Sequence, residues 1–262
     1  MSENNFQPSV IEMRGVSVAA MRDASFIVVE DVNWSVAAGE FWVVVGQEHA
    51  GKSDLLMLAA GLMPPAAGSY KLFGCDTKNF GEAELAGRLR VGFVFQGGQL
   101  FNQLTIAENV ALPLRYQKNF AAAEAARPVE RLLELTELAP LADVIPANVA
   151  VNWRQRAALA RALVLRPEML LLDNPLAGLG ARHRQWWLRF LDQLSRGHEL
   201  FGGEPVTICI TADDLRPWQN VRRQFALLRD KKMIPLGGWN EVEANPDPVV
   251  KELLAVHVEP AA

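Results

Sequence analysis

The sequence predicts an α/β fold built around a parallel sheet, and three observations carry that prediction. In the last third of the chain, short apolar runs alternate with helical stretches, an order that lays consecutive strands parallel with helices crossing between them. The run Phe41 to Val45 is apolar at every position, as in a strand covered on both faces. Half of the 262 residues are hydrophobic and 21% are charged, which supplies a large core and excludes a disordered chain.

The elements follow in order. Met13 to Ala19 reads as a short strand, and Phe26 to Val36 as a β-branched strand with partial alternation, closed by a turn at Ala38-Gly39. After the buried strand at Phe41 to Val45 comes a glycine loop, then a helix from about Ser53 to Ala60 that Pro64-Pro65 brings to a stop. Val91 to Phe95 is the next strand. From Ile106 to Leu138 the pattern is helical, rich in Ala, Glu and Leu from Phe120 onward, with Pro140 and Pro146 marking a loop after it. Gln155 to Leu165 is helical, Met169 to Leu172 is a buried strand ending in Asp173, Arg182 to Leu194 is helical and Val206 to Thr211 is a strand. Phe225 to Leu228 and Met233 to Leu236 form a hairpin around Arg229-Asp230-Lys231. A helix around Val249 to Val256 and a tail close the chain. The expected organisation is one domain over 1–262. Within it, 8–95 and 166–240 form a β subdomain and α/β core, 96–165 a helical insert, and 245–262 the C-terminal helix and tail.

Composition removes several function classes. Thirty acidic residues against 26 basic ones give a net charge of −4, so no basic field points to a nucleic-acid partner. Cys75 and Cys209 make no disulfide framework, and no CxxC or His/Cys cluster points to zinc. Met1 to Asn5 is polar, unlike a signal peptide, and the longest uncharged run, Leu55 to Tyr70, is broken by Gly61, Pro64 and Pro65. The chain therefore reads as reduced and cytosolic, with any membrane role exercised through a partner.

Gly46-Gln47-Glu48-His49-Ala50-Gly51-Lys52-Ser53 matches the phosphate-binding pattern G-x-x-x-x-G-K-S between a strand and a helix. Backbone N–H groups of such a loop face a polyphosphate at a helix N-terminus, where the dipole also favours anions. Lys52 is expected to reach the β- and γ-phosphates and Ser53 to ligate Mg²⁺. Glu48 and His49 stand where small or neutral residues are usual, and Asp54 adds negative charge beside the metal ligand. Binding is therefore expected to be weaker than the motif alone implies. The apolar strand ending in Asp173 supplies the carboxylate that holds Mg²⁺ from the second side in P-loop proteins.

From about Ile11 to Leu236 the chain resembles the nucleotide-binding subunit of an ABC transporter. The order of features carries the resemblance: the P-loop, Gln96 after a strand, a helical insert, the run Arg154-Gln155-Arg156-Ala157-Ala158-Leu159-Ala160-Arg161-Ala162-Leu163, then Arg166-Pro167-Glu168, Asp173, Pro175 and Gly178-Leu179. Gly98 to Phe101 and Leu104 to Leu114 are similar to the ATPases of Mce-type (Mla-type) lipid transport systems. The resemblance implies a P-loop NTPase core with an N-terminal antiparallel β subdomain and an inserted helical subdomain. It also implies ATP and Mg²⁺ as ligands, with Ser53, Gln96 and Asp173 as metal contacts. The implied partners are an integral membrane permease and a second nucleotide-binding subunit, on the cytoplasmic face of the inner membrane.

Against that family pattern, four loops depart. Asn174 replaces the Glu that polarises the attacking water, and Ala212 replaces the His that contacts the γ-phosphate. The signature loop, Leu-Ser-Gly-Gly-Gln/Met in the family, reads Val149-Ala150-Val151-Asn152-Trp153, and Gly180 stands at the D-loop carboxylate. No aromatic residue near Val18 presents itself for adenine. The expected function is thus a degenerate transporter subunit with a lipid-related cargo, weak or regulatory ATP binding and impaired hydrolysis. Two alternatives stand beside it: an active ATPase using Glu48 or Asp213 as base, and an interaction protein that keeps the fold without using nucleotide.

Overall fold

Strands β1 (Ser9–Ala20) and β2 (Asp23–Ala37) pair antiparallel, and β4 (Ala67–Leu72) and β5 (Cys75–Asp76) extend the sheet in the order β2-β1-β4-β5. The computed structural model describes residues 9–79, 90–220 and 222–255. Along β1 the most deeply buried side chains are Ile11 and Met13, then Val16 and Val18. That one-residue change of phase is a bulge: Gly15 sits at φ +58° and donates its N–H to Asn33 Oδ1 at 3.0 Å. Without the bulge, period-two alternation would turn Val16 and Val18 to the outer face.

The second sheet has the order β10-β9-β3-β8-β7-β6. It comprises β3 (Phe41–Gly46), β6 (Val91–Val94), β7 (Met169–Leu172), β8 (Thr207–Ala212), β9 (Arg223–Arg229) and β10 (Lys232–Gly237). All pairings are parallel except that of β10 with β9. Consecutive residues of the inner strands enter opposite cores. Val43, Val45, Leu170, Leu172, Ile208 and Ile210 face one cluster, while Val44, Met169, Leu171 and Cys209 face the other. This is why those strands carry apolar residues at consecutive positions. The β9–β10 hairpin turns through Asp230 and Lys231 at φ +50° and +60°, with Arg229 paired to Lys232, the left-handed pair a tight two-residue turn needs.

The helices are α1 (Lys52–Ala59), α2 (Ile106–Gln117), α3 (Ala122–Leu135), α4 (Val151–Leu163), α5 (Ala181–Arg196), α6 (Trp239–Glu243) and α7 (Pro248–Leu254). The continuous helical pattern expected over Ile106 to Leu138 is in fact two helices. Asn119 takes φ +54° between them, and Glu137 takes φ +59° after the second. A capping box fixes the start of α2: Thr105 Oγ1 accepts the Glu108 N–H and the Glu108 carboxylate accepts the Thr105 N–H. Helix α4 starts four residues earlier than expected, so Val151 to Arg154 form its first turn. Strands β4 and β5 and helix α6 escaped the sequence reading. In Ala67–Leu72 only Tyr70 and Leu72 are buried, and Gly68 at φ +83° packs against the Gly15 carbonyl, so little apolar periodicity marks the strand. The end of the expected C-terminal helix at Val256, and the tail, lie outside the described residues.

The two cysteines test this layering. Cys75 is exposed, whereas Cys209 is fully buried and its thiol is pushed up far above the usual range by burial, with a smaller contribution from Glu40. An aromatic disulfide reagent should titrate one thiol per native chain, Cys75, and the second only after denaturation. Two fast-reacting thiols in the native protein would contradict the placement of β8 between the cores.

Candidate nucleotide site

Because β3, β7 and β8 run parallel, their C-terminal ends meet at one edge of the sheet, and the loops leaving them share a cavity of about 540 Å³. Of the residues singled out from the sequence, Gly46, Gln47, Glu48, Lys52, Ser53, Gln96, Asp173 and Asn174 line it. His49, Ala50 and Gly51 shape the loop instead. His49 takes φ +64°, the Ala50 N–H closes a turn onto the Gln47 carbonyl, and Gly51 caps α1 at φ +86°. Two glycines are sterically required. A Cβ on Gly46 would lie 2.6 Å from the Leu228 carbonyl oxygen, and one on Gly51 would lie 2.9 Å from Val29 Cγ2. Asp54 turns away from the cavity: its Oδ1 accepts the Met21 N–H at 2.8 Å, tying α1 to the β1–β2 turn. Ala212 is buried at the end of β8.

The Lys52 side chain is 10% exposed and its ammonium is fully engaged. It donates to the Gly46 carbonyl at 2.6 Å and the Gln47 carbonyl at 2.8 Å, and it pairs with Asp213 Oδ1 at 2.9 Å. Asp213 Oδ2 accepts from Asn174 Nδ2 at 2.6 Å. Beneath them, Thr211 Oγ1 donates to Asp173 Oδ1 at 2.6 Å and accepts the Asn174 N–H at 2.9 Å. Asn174 itself stands at φ +45°, a left-handed conformation that Asn tolerates better than most residues.

Sequence reasoning missed Thr211, Glu252 and Leu253. The last two come from α7, which reaches the cavity because the Leu215 N–H donates to the Leu253 carbonyl at 3.1 Å. No local motif announces a contact between segments so far apart in sequence. Asp213, read only as an alternative base, is the partner of the P-loop lysine.

The donors available to Mg²⁺ are the Ser53 hydroxyl, the Asp173 carboxylate and the Gln96 amide, a hard-oxygen set suited to that ion. Among the described residues no group of three or more His, Cys, Asp or Glu forms a metal cage, so these residues fit an ion shared with phosphate oxygens and water.

The first turn of α4 is built for packing. Its N-cap is Ala150, which offers no capping oxygen, and Val151 is exposed. The Trp153 ring meets His183 edge-on at 5.2 Å. The Arg156 guanidinium lies 4.6 Å from the Trp153 ring centre and 3.9 Å from that of Trp186, and it donates to Glu137 Oε2 at 2.6 Å. Arg156 also meets His183 Nδ1 at 3.2 Å, which must accept because a guanidinium only donates. Burial, then Arg156 and Arg182, push the His183 imidazole down from its ordinary value, and Glu137 opposes them.

Two measurements test this network. Thr211→Val keeps the shape of a buried residue but strips hydrogen bonds from buried Asp173 and from the Asn174 N–H. It should cost about 1–3 kcal/mol in denaturant unfolding at unchanged m-value. For His183, the unfolded chain takes up a proton as pH falls below about 6.5, before the folded chain does. This residue's contribution is therefore present above that pH and lost as pH falls, so Tm should drop less between neutral and mildly acid pH in His183→Gln than in the parent chain.

The ABC transporter family matches residues 29–177. The sulfate/thiosulfate import ATP-binding protein CysA of Synechococcus elongatus is 36% identical over 234 residues, which is 88% of this chain and 64% of that protein. This chain thus spans less than two thirds of that relative's length. The probable sulfate/thiosulfate import ATP-binding protein CysA of Chlorella vulgaris is 35% identical over 228 residues, 86% of this chain and 91% of its own length. Among solved structures, a dimeric ATP-binding cassette in a post-hydrolysis state, bound to ADP and Pi, superposes with a TM-score of 0.74 at 26% identity and covers 87% of this chain and 99% of that one. With the strand–loop–helix cradle, the Asp173 strand and the helical insert all in the expected order, this chain belongs to the ABC transporter family and carries its ATPase domain.

Proposed function

We propose that the chain is the nucleotide-binding subunit of an ABC transporter that binds ATP with Mg²⁺ but hydrolyses it poorly. The observation that carries this reading is Asn174. It follows Asp173 at the end of β7, lines the cavity, and its amide donates to Asp213 where a general base would be needed. An amide orients water but takes no proton from it, and loss of a positioned base typically lowers rate by about 10²–10⁴-fold. Lys52 and the N-terminus of α1 supply the anion site. Ser53, Gln96 and Asp173 would hold Mg²⁺, which when bound offsets charge on the β- and γ-phosphates. Ala212 has no group that reaches a γ-phosphate. Both oxygens of Asp213, the alternative base, are engaged in this structure by Lys52 and Asn174.

The same reading supplies the partners. The family resemblance supports a second nucleotide-binding subunit facing the P-loop. A mainly apolar cleft of about 510 Å³, where Phe101, Leu104, Leu112 and Tyr116 gather a few residues beyond Gln96, supports docking of an integral membrane permease. We read 96–165 as the helical subdomain that carries this cleft, and the chain as peripheral on the cytoplasmic face of the inner membrane. Among the described residues no helix is long and apolar enough to cross a membrane. A lipid-related cargo is supported by the stretch Gly98 to Leu114 alone, whereas the relatives from Synechococcus elongatus and Chlorella vulgaris are named for sulfate and thiosulfate import.

Titration with a non-hydrolysable ATP analogue should give saturable, Mg²⁺-dependent binding that Lys52→Ala abolishes. Steady-state phosphate release by the purified chain should stay near background and rise in Asn174→Glu. Robust turnover in the parent chain, lost in Lys52→Ala, would falsify impaired hydrolysis. Absence of Mg²⁺-dependent binding by the parent chain and by a folded Asp213→Asn variant alike would remove the nucleotide reading altogether.

A further inference from the structure

We propose that Asp213 is a built-in phosphate mimic, clamped by Asn174 onto Lys52, so that a nucleotide enters the site only by displacing it. The inference rests on the nucleotide-binding reading above and adds a device that regulates the same site.

The argument starts with valence. An ammonium has three donors, and Lys52 spends one on each of the Gly46 and Gln47 carbonyls and the third on Asp213 Oδ1. A phosphate oxygen can bond to Lys52 only if one of these partners leaves. The two carbonyls belong to the loop backbone, whose path is fixed by the close approach of Gly46 to Leu228. Asp213 is held only by its side chain and is 58% exposed, so it is the partner that leaves. Chemically it already stands in for the ligand: an anionic oxygen 2.9 Å from the lysine nitrogen.

Asn174 makes the contact specific. Its backbone is anchored through the Thr211 hydroxyl, which is itself bonded to Asp173, and its Nδ2 donates to the second oxygen of Asp213 at 2.6 Å. The carboxylate is therefore gripped on one oxygen by a cation and on the other by an amide. A carboxylate at position 174 would face Asp213 with like charge and push it from Lys52. The electrostatics of the cavity raise the threshold further. Among the described residues, Glu48, Asp173, Asp213 and Glu252 line it against Lys52 as the only cationic lining residue, so an incoming polyphosphate meets a negative field until Asp213 has swung out and Mg²⁺ accompanies it.

The test is a titration of the full chain with a fluorescent, non-hydrolysable ATP analogue and Mg²⁺, comparing the parent with Asp213→Asn and Asn174→Ala. Asp213→Asn removes the charge and should tighten binding by about fivefold, the scale of an exposed ion pair. Asn174→Ala removes only the clamp and should act in the same direction by a smaller factor. Circular dichroism establishes that each variant is folded, and either folded variant suffices for the comparison. Affinity unchanged or weakened in both variants, with the parent binding normally, overturns the latch and leaves the nucleotide reading intact. No binding by the parent or by either folded variant overturns both. Binding that appears only in the variants is the strongest form of support.

Discussion

Val43, Val44 and Val45 point alternately into two cores, one beneath α1 and the antiparallel sheet, the other beneath α4 and α5. Leu170, Leu171 and Leu172 on β7 do the same, as do Ile208, Cys209 and Ile210 on β8. Covering three adjacent strands on both faces forces parallel crossings and excludes water from everything but the strand ends. The loops after Gly46, Leu172 and Ala212 are then the first places where polar chemistry is possible, and they open at one edge. Lys52, Asp173, Asn174 and Asp213 meet there because the register of the strands beneath them, with Val45 paired to Ala212 and Leu172 to Ile210, brings those strand ends together.

That arrangement separates what holds the fold from what would perform hydrolysis. The strand interiors are filled by apolar side chains, with Thr207 and Thr211 of β8 the buried polar exceptions among these three strands. The loop ends tolerate many residues, and there the departures from the family pattern fall. Trp153, in the first turn of α4, folds back on His183 and Arg156. Arg156 is buried between two indole rings and bonded to Glu137 and to the Thr136 carbonyl. These contacts stiffen the junction between α4 and α5. Gln155 continues the connection by donating to the Ala177 carbonyl, in the loop that leaves Asn174. The segment that the resemblance aligns with the family's signature loop packs here between helices.

The legibility of the chain follows the same division. The inner strands were readable because burial on both faces leaves an unbroken apolar run, and the P-loop because its glycines answer to local steric demands at Gly46 and Gly51. The β9–β10 hairpin was readable from its polar turn. What was hidden depends on meetings across the chain. Glu252 and Leu253 carry no mark in their own neighbourhood that α7 will reach the P-loop cavity. The break between α2 and α3 rests on the left-handed Asn119, a single residue inside a helical pattern, while Pro113 and Pro128 sit inside helices that do not end there. Asp54 was legible as a charge beside the metal ligand, but its hydrogen bond to Met21 was not.

Position 174 joins the two halves of the site's behaviour. Replacing a carboxylate by an amide there removes a proton acceptor and, in the same step, turns a like-charge neighbour of Asp213 into a hydrogen-bond donor to it. On the function proposed above, impaired hydrolysis and closure of the lysine site follow from one side chain. A carboxylate side by side with Asp213 holds Lys52 open, and an amide closes it. The backbone of Asn174 is fixed by Thr211 whichever side chain it carries, so the choice between the two states falls on a handful of side-chain atoms. The sheet below is indifferent to that choice, which is how a chain can keep the whole architecture of an ATPase while the occupancy of its phosphate site is decided by its own carboxylate.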